Sequence, residues 1–120
     1  MRDDVIRVVE AYLNGLVSKD FSNVALHPDL EYQGPLGWIK GATIFRAMLS
    51  QLLSESTMIT GINVERHIVD GEWCATALTL ETSAGPIHIC DCFRVVDGQI
   101  VSIRVYHDPF RLPRDFKKAS

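Results

Sequence analysis

The hydrophobic positions near the amino terminus have the spacing of an amphipathic helix. They recur every three or four residues behind Asp3 and Asp4, and acidic residues favour a helix amino end. The pattern therefore predicts a first helix with one buried face. That face carries Val5, Val8, Val9, Tyr12 and Leu16.

Two short elements are expected next. The stretch DFSNVALHPD brings Phe21 and Val24 to one side, which predicts a brief second helical turn that Pro28 ends. The stretch DLEYQGPLG has the period-two spacing that is typical of a strand. One face of that strand carries Leu30, Tyr32 and Gly34.

A wide apolar stripe at helical spacing predicts a third helix, which begins near Gly41 and faces the core. Beyond residue 56 the hydrophobic period changes to two, and turn-forming pairs such as Asp70-Gly71 and Asp97-Gly98 divide the remainder into four strands. Helices followed by an antiparallel meander predict an α+β domain in which the helices cover one face of the sheet. The stripe consists of Ile44, Phe45, Met48, Leu49, Leu52 and Leu53.

The composition, 47% hydrophobic and 22% charged, is that of a globular protein. A chain of 120 residues builds one core, so we expect a single domain over residues 1–120, with residues 109–120 as a C-terminal tail. The net charge of −3 and the scattered basic residues disfavour nucleic acid as a partner. No apolar run approaches the about 18 residues of a membrane span, so we expect a cytoplasmic protein that does not enter membranes.

Three cysteines, Cys74, Cys90 and Cys92, lack the spacing of a metal site, and we expect neither a metal nor another cofactor. Cys90 and Cys92 share one face of a strand, and Trp73 and Tyr106 are candidates for the same outer surface. A sheet face so apolar commonly pairs with a second subunit. We therefore predict a homodimer through the outer sheet face.

A carboxylate in the apolar stretch PIHICDCFRV is the first candidate for chemistry. The turn at residues 97 and 98 decides what Asp91 meets. A two-residue loop pairs position 96 with 99 and places Asp91 on the face of Arg104, where an ion pair would explain it. A three-residue loop pairs 95 with 99 and places Asp91 opposite Ile103, on the face of His107. Alternation favours the second register, because it gathers the aliphatic side chains on one side.

In that register Asp91 is an acid among apolar neighbours, and desolvation raises its pKa. A structural role, with the carboxyl bonded to a helix cap or to backbone groups, is the alternative. The hydroxyl of Tyr12, on the buried helix face, also needs a partner. A tyrosine beside a neutral carboxylic acid would supply two hydrogen-bond donors to one developing oxyanion.

Several segments, in order over nearly the whole chain, resemble the nuclear-transport-factor-2-like superfamily, in particular its ketosteroid isomerase and SnoaL-like polyketide cyclase branches. They are VVEAYLNGLVSKDF, DLEYQGPLG, GATIFRAML, DCFRV and GQIVSIRVYHD. The resemblance implies a curved antiparallel sheet wrapped around the helices as a cone with an internal pocket. It implies less about activity, since the superfamily includes isomerases, dehydratases, cyclases, hydrolases and noncatalytic binders.

By this resemblance, Tyr12 corresponds to the oxyanion-hole tyrosine of the isomerase and Asp91 to its protonated aspartic acid. The general base of the isomerase precedes a proline, and here that position is Gly34. Steroid isomerisation by the usual route is therefore not expected. His107 has the strand parity to act as a base instead, at about 13 Å from Asp91 along the sheet, so the two groups would act on opposite ends of one substrate.

Two functions remain open. One is an enzyme that moves a proton in a small, largely apolar carbonyl compound, with Tyr12 and Asp91 as donors and His107 as the base. The other is a noncatalytic ligand-binding or dimer-forming module, in which His107 anchors the HDPF turn. An epoxide-hydrolase-like function is less favoured, because it needs ionised carboxylates around an arginine with pocket parity. The predicted pocket wall consists of Tyr32, Gly34, Trp38, Met48, Leu49, Phe93, Ile103 and Val105.

Overall fold

The computed structural model describes residues 2–55 and 59–107. They form helix α1 (Arg2–Ser18), strands β1 (Leu26–Gly34) and β2 (Gly37–Lys40), helix α2 (Ala42–Glu55) and strands β3 (Ile59–Asp70), β4 (Trp73–Thr82), β5 (Gly85–Val96) and β6 (Gln99–His107). The tail predicted for residues 109–120 lies outside the described residues. Neither described helix is long and apolar enough to cross a membrane.

Helix α1 buries the face that its hydrophobic spacing predicts, with Val9 fully buried and Tyr12 nearly so. Asp3 and Asp4 lie in the first turn, where the positive end of the helix dipole stabilises acidic side chains. The helix ends where Lys19 adopts a left-handed φ of 64°. The first predicted element is therefore confirmed.

The predicted second helical turn is wrong, because residues 20–25 form a turn and not a helix. The Asp20 carboxylate accepts a hydrogen bond of 3.0 Å from the Ser22 N–H, a local bond that competes with helix formation. Arg46 of α2 then donates hydrogen bonds of 2.7 and 2.6 Å to the carbonyl oxygens of Phe21 and Val24. The loop is held against α2 by this arginine, and Phe21 reaches the core without a helix.

Helix α2 is the predicted third helix. Gly41, with a φ of 103°, turns the chain into it. Phe45, Leu49 and Leu53 follow at intervals of four residues, and all three are buried. Ile44 belongs to the predicted stripe but is exposed, because neighbouring helical residues point about 100° apart.

All six strands form one curved, unclosed sheet in the order β2-β1-β6-β5-β4-β3. Strands β3 to β6 are the predicted antiparallel meander. Strand β1 pairs with β6 in parallel, so the sheet is mixed and not wholly antiparallel. Strand β2, which forms a hairpin with β1, has four residues and was not among the predicted elements. The α+β class and the helix-covered curved sheet are confirmed.

The β5–β6 hairpin places Asp91 on the predicted face through a different turn. Residues 97 and 98 have φ values of 51° and 77°, as a two-residue type I′ turn requires, and position 96 pairs with 99. A bulge at Val101 then shifts the register by one residue. Asp91 consequently lies opposite Val105, and not opposite Ile103 as predicted.

The outer sheet face carries the large apolar side chains that sequence alternation assigns to it. Trp73 is 49% exposed and Tyr106 is 56% exposed. Cys90 and Cys92, between them, are partly buried free thiols. Burial raises the pKa of the Cys92 thiol to about 11, so this thiol is neutral at physiological pH.

Candidate ligand-binding cavity

Tyr12 is held in position by three phenylalanine rings. Its ring centroid lies 5.5 Å from that of Phe93, 6.1 Å from that of Phe21 and 6.3 Å from that of Phe45. These rings come from β5, the loop after α1 and α2, so packing from three directions orients the phenol. Burial raises the pKa of Tyr12, and the nearby Asp91 raises it further, so the hydroxyl remains a hydrogen-bond donor.

Asp91 lies on the inner face of β5 with 4% of its surface exposed. Its Oδ1 has no hydrogen-bond partner among the described residues. Burial raises the pKa of Asp91 to about 7, in agreement with the prediction from its apolar neighbours. A substantial fraction of the carboxyl is therefore protonated at neutral pH, and a protonated carboxyl offers an O–H donor.

Tyr32 occupies the space beside Gly34. A Cβ atom on Gly34 would lie 2.6 Å from the Tyr32 hydroxyl oxygen and 2.9 Å from the Cβ of Val105, which is too close for either pair. The Tyr32 ring packs against Phe45 with 4.9 Å between centroids. Burial raises the pKa of Tyr32, so this phenol too is a neutral donor.

Tyr12, Tyr32 and Asp91 line one cavity of about 60 Å³ between the helices and the sheet. The rest of its lining comes from aliphatic side chains and Pro35. Among the described residues that line it, Asp91 is the single carboxyl and none is Lys, Arg or His. The cavity is therefore an apolar site whose side chains offer neutral hydrogen-bond donors.

The predicted pocket wall coincides with this lining at Tyr32, Leu49 and Val105. Phe93 and Ile103 lie on the correct face but are fully buried outside the lining, where Phe93 supports the Tyr12 ring. These two residues act on the site through packing. Their strand parity was predicted correctly, but parity does not distinguish a cavity wall from the core next to it.

Three other residues of the predicted wall lie outside the lining. Gly34 is beside Tyr32, and Met48 is partly buried against the core. Trp38 is 75% exposed, which contradicts its predicted place in the wall. The reason is strand β2, in which Ile39 points inward and its neighbour Trp38 therefore points outward.

Some lining residues were not predicted, including Leu36 in the β1–β2 turn and Leu78 and Leu80 on β4. The two β4 leucines alternate with outward-facing neighbours, so their parity was available from the sequence. Leu36 had no such signal, because it follows Pro35 in a turn that periodicity does not describe. Sequence patterns thus indicate which strand residues face inward, but not which turn closes the cavity.

His107 lies closer to Asp91 than predicted, and outside the cavity lining. It pairs with Ile89, so His107 and Asp91 are diagonal neighbours on adjacent strands, about 7–8 Å apart. The Nδ1 atom of His107 is buried and has no hydrogen-bond partner among the described residues. The HDPF turn that this histidine was predicted to anchor extends beyond the described residues.

Comparison with known proteins agrees with this architecture. Epoxide hydrolase EphG of Mycobacterium tuberculosis is 32% identical over 113 residues, which cover 85% of this chain and 72% of that protein. The structure of an M. tuberculosis LEH-like epoxide hydrolase is 29% identical, with a TM-score of 0.74 over 98% of this chain and 89% of that one. A steroid delta-isomerase from Pseudomonas aeruginosa is 18% identical, with a TM-score of 0.74 over 97% of this chain and 88% of that one, a likeness of fold alone.

The family match extends from the middle of α1 to β6. The SnoaL-like domain family matches residues 9–103, a segment that contains Tyr12, Tyr32 and Asp91. The match confirms the resemblance predicted from the sequence segments, and the curved sheet around two helices is the architecture that the resemblance implies. This chain belongs to the SnoaL-like domain family, within the nuclear-transport-factor-2-like fold.

Proposed function

We propose that this protein binds a small, largely apolar ligand whose carbonyl, enolate or phenolate oxygen accepts hydrogen bonds from Tyr12 and Asp91. The observation that carries the proposal is that two phenols and one carboxyl of raised pKa are the side-chain polar groups facing an otherwise apolar cavity. A buried polar group without a partner costs about 1–3 kcal/mol. A ligand oxygen would provide that partner.

The cavity volume favours a ligand much smaller than a steroid. At about 60 Å³ it has room for roughly four water molecules, at about 15 Å³ each. Sites for drug-sized ligands measure about 300–1,000 Å³. A short-chain compound is therefore the ligand class that fits the cavity as it stands. A single aromatic ring, which needs a cavity of about 150 Å³, requires the aliphatic lining to move.

Binding without chemistry is supported by the groups around Gly34. The side chain that would act as a base is absent at this position, and the Tyr32 hydroxyl occupies the space that such a side chain needs. The three polar side chains of the lining are neutral donors or, for Asp91 above its pKa, a single carboxylate. Neutral hydrogen-bond donors stabilise an oxyanion but do not remove a proton from carbon, so within the described lining only the carboxylate form of Asp91 could act as a base.

Proton transfer is the second candidate function, and His107 is the observation that favours it. Its buried Nδ1 is unpartnered among the described residues, and it is a diagonal neighbour of Asp91. In this function Tyr12 and Asp91 bind the oxygen of an enolisable carbonyl compound while His107 removes the proton. Enolisation requires a base at one end of the substrate and donors at the other. Because His107 lies outside the described cavity lining, this function also requires the substrate or the His107 ring to extend beyond that lining.

The similarity to epoxide hydrolases suggests a small epoxide as a ligand to test. It does not supply the residues that epoxide hydrolysis would need. Hydrolysis by ionised carboxylates around an arginine needs charged groups that are absent from the described lining of this cavity. An epoxide oxygen is nonetheless a hydrogen-bond acceptor, as a carbonyl oxygen is. A small epoxide therefore belongs in the ligand panel beside ketones and phenols.

Titration with substituted phenols of increasing acidity tests the proposed function. Affinity should rise with the negative charge on the ligand oxygen, and Tyr12→Phe should weaken it by ten-fold or more, since a hydrogen bond to a charged group contributes about 1.5–3 kcal/mol. Asp91→Asn should retain much of the binding because an amide still donates, whereas Asp91→Ala should not. Tyr106→Phe removes a phenol from the outer face and serves as the matched control.

Equal affinity of the parent protein, Tyr12→Phe and Asp91→Ala for every phenol would refute the proposed function. Asp91 would then be a structural acid. Isothermal titration calorimetry on the full chain measures these affinities directly.

A further inference from the structure

Three polar residues lie in one row across the inner face of the sheet. Asp91 on β5 pairs directly with Thr76 on β4, and Thr76 pairs directly with His67 on β3. Strand β3 is at the edge of the sheet, and His67 is partly exposed there. The row therefore leads from the cavity to the sheet edge, on the side of Asp91 away from His107 and β6.

The outer half of this row is already hydrogen bonded. The Oγ1 of Thr76, a fully buried residue, lies 2.8 Å from the Nδ1 of His67. The Sγ of Cys74 lies 3.4 Å from the same hydroxyl and 3.9 Å from the same imidazole nitrogen. A hydroxyl donates one hydrogen and accepts two, so Thr76 can receive a further bond while it donates to His67.

The inner half of the row has an unsatisfied atom. Oδ1 of Asp91 is buried without a partner among the described residues, and Thr76 is its directly opposed neighbour. Side chains in directly opposed positions have Cβ atoms about 5 Å apart. The path therefore requires a side-chain rotation that brings the Asp91 carboxyl within hydrogen-bond distance of the Thr76 hydroxyl.

We propose that His67, Thr76 and Asp91 form a proton path that connects the cavity to the edge of the sheet. Thr76 relays the proton, and His67 accepts it and, once charged, favours the ionised form of the Asp91 carboxyl. The path would be the route by which Asp91 exchanges its proton with solvent when a ligand fills the cavity.

The proton transfer balances without any other reactant. Neutral His67 accepts at Nδ1 and carries its own proton on Nε2. The Asp91 carboxyl gives its proton to the Thr76 oxygen while the Thr76 hydroxyl gives its hydrogen to His67, leaving a carboxylate and an imidazolium. The imidazolium then releases the Nε2 proton to water. Histidine suits this role, because its charge ordinarily changes between pH 5 and 8.

Other titratable groups face the two ends of the path. Asp91 is faced by Tyr12 of α1, Tyr32 of β1 and, diagonally, His107 of β6, whereas α2 contributes aliphatic side chains to the cavity. His67 is faced by Cys74 of β4, on which Arg2 of α1 acts electrostatically. None of these groups contacts both His67 and Asp91. Cys74 contacts Thr76 and His67, so Thr76→Ser, which keeps the hydroxyl, is needed beside Thr76→Val to separate the path from the effect of Cys74.

The inference extends the proposed function, since it concerns the protonation of the proposed donor. The test uses the ligand-free full chain, so the proton path and the proposed function can be refuted independently. The side-chain carboxyl of Asp91 is titrated by carbon-13 NMR in the parent, in Thr76→Val and in His67→Gln. We expect the Asp91 pKa to rise by about half a unit or more in both variants, because the ionised form loses its hydrogen bond and its imidazolium partner.

The parent should also show reciprocal coupling. Its Asp91 curve should contain a second inflection that matches the titration of the His67 ring, and Asp91→Asn should remove the corresponding inflection from the His67 curve. Thr76→Ser, which restores the hydroxyl, should return the Asp91 curve to that of the parent. Thr79→Val is the matched control, because Thr79 bonds the Nδ1 of His88 at 3.2 Å on the opposite sheet face.

Two results would overturn the path. One is an Asp91 titration that is the same in the parent, Thr76→Val and His67→Gln. The other is an Asp91 titration that changes in His67→Gln but not in Thr76→Val, which would mean that His67 and Asp91 interact through space and not through Thr76. Coupling through Thr76 in a protein that binds no phenol would support the path and refute the proposed function.

Discussion

The hydroxyl of Tyr32 occupies the volume that a side chain at Gly34 would need. The two positions are therefore linked, and the chain cannot carry both this tyrosine placement and a residue with a Cβ atom at position 34. Gly34→Ala should lower the free energy of unfolding by about 1–3 kcal/mol through overpacking. Tyr32→Leu removes the hydroxyl from this space. The double variant should therefore lose less unfolding free energy than the sum of the losses in the two single variants.

Urea denaturation of the two single variants and the double variant measures this coupling. Gly61→Ala is the control, because a Cβ atom there would lie 3.8 Å from its nearest neighbour, an ordinary contact distance. Strict additivity of Gly34→Ala and Tyr32→Leu would contradict the linkage.

The raised pKa of Asp91 predicts a loss of stability as the pH rises from about 4 to 7. Below about pH 4 the carboxyl is protonated in both the unfolded and the folded states, and its burial carries no charge penalty. Between those values the unfolded state releases a proton that the folded state retains, because the folded pKa is about 7. Asp91 should thus lower the free energy of unfolding by up to about 4 kcal/mol above pH 7.

Denaturation at pH 4 to 8 tests this dependence against Asp91→Asn. The variant cannot ionise, so the difference in unfolding free energy between the variant and the parent should increase with pH. A difference that stays constant would show that the pKa of Asp91 is the same in the folded and unfolded states.

His107 should matter for proton exchange and not for binding. If His107 is the base, the protein accelerates hydrogen–deuterium exchange at the carbon beside the carbonyl of a small ketone. His107→Ala should reduce that acceleration by about 100-fold or more, while phenol affinity stays within a factor of two or so. Proton NMR of the ketone measures the exchange.

His27→Ala is the control, because the His27 ring accepts a hydrogen bond from the Asp29 N–H and is absent from the described cavity lining. Absence of exchange in the parent protein would support the noncatalytic binding module. Equal exchange in the parent and in His107→Ala would assign the base to another group.

The outer sheet face predicts a homodimer. Trp73, Tyr106 and Trp38 are exposed on it, and the neutral thiol of Cys92 lies in the same cross-strand row as Trp38. Sedimentation velocity at micromolar concentration should show a dimer in the parent and a monomer in Trp73→Glu or Tyr106→Glu, because the new charge would be desolvated in the interface. A parent protein that sediments as a 13.4 kDa species would be inconsistent with this prediction.

Ile44→Glu serves as the control for the dimer. Ile44 is about as exposed as Tyr106 but lies on helix α2, away from the outer sheet face. Its substitution should leave the sedimentation unchanged.

The residues that the sequence predicted best are those whose position depends on parity alone. Asp91 was assigned to the inner face, although the predicted three-residue loop is a two-residue turn with a bulge at Val101. Relative to an unbulged two-residue hairpin, the predicted loop and the observed bulge shift the register by one residue in opposite directions. Both therefore turn the same residues inward, while the partner of Asp91 changes from Ile103 to Val105. Alternation therefore predicts a face, whereas distances along a strand depend on bulges that it does not detect.

The features that the sequence pattern did not predict are those whose positions depend on a few specific contacts. The turn after α1 depends on Asp20 and on the long reach of Arg46 from α2, and no periodic pattern carries that information. Trp38 was assigned to the pocket because strand β2, which is four residues long, gives too few positions for alternation to be seen. The row from His67 to Asp91 was missed because it requires the pairing of three strands.

The parallel pairing of β1 with β6 has a consequence for how the site is assembled. Tyr32 lies beside Ile103, so one wall of the cavity depends on contact between strands from opposite ends of the fold. Contacts of such long sequence separation carry a large loop-closure entropy cost. The meander of β3 to β6 can assemble from near neighbours, but the donor set of Tyr12, Tyr32 and Asp91 exists only once β1 has docked. Ligand binding should therefore report the docking of β1 and α1 on the meander, and a phenol that binds only the assembled donor set should stabilise the whole domain.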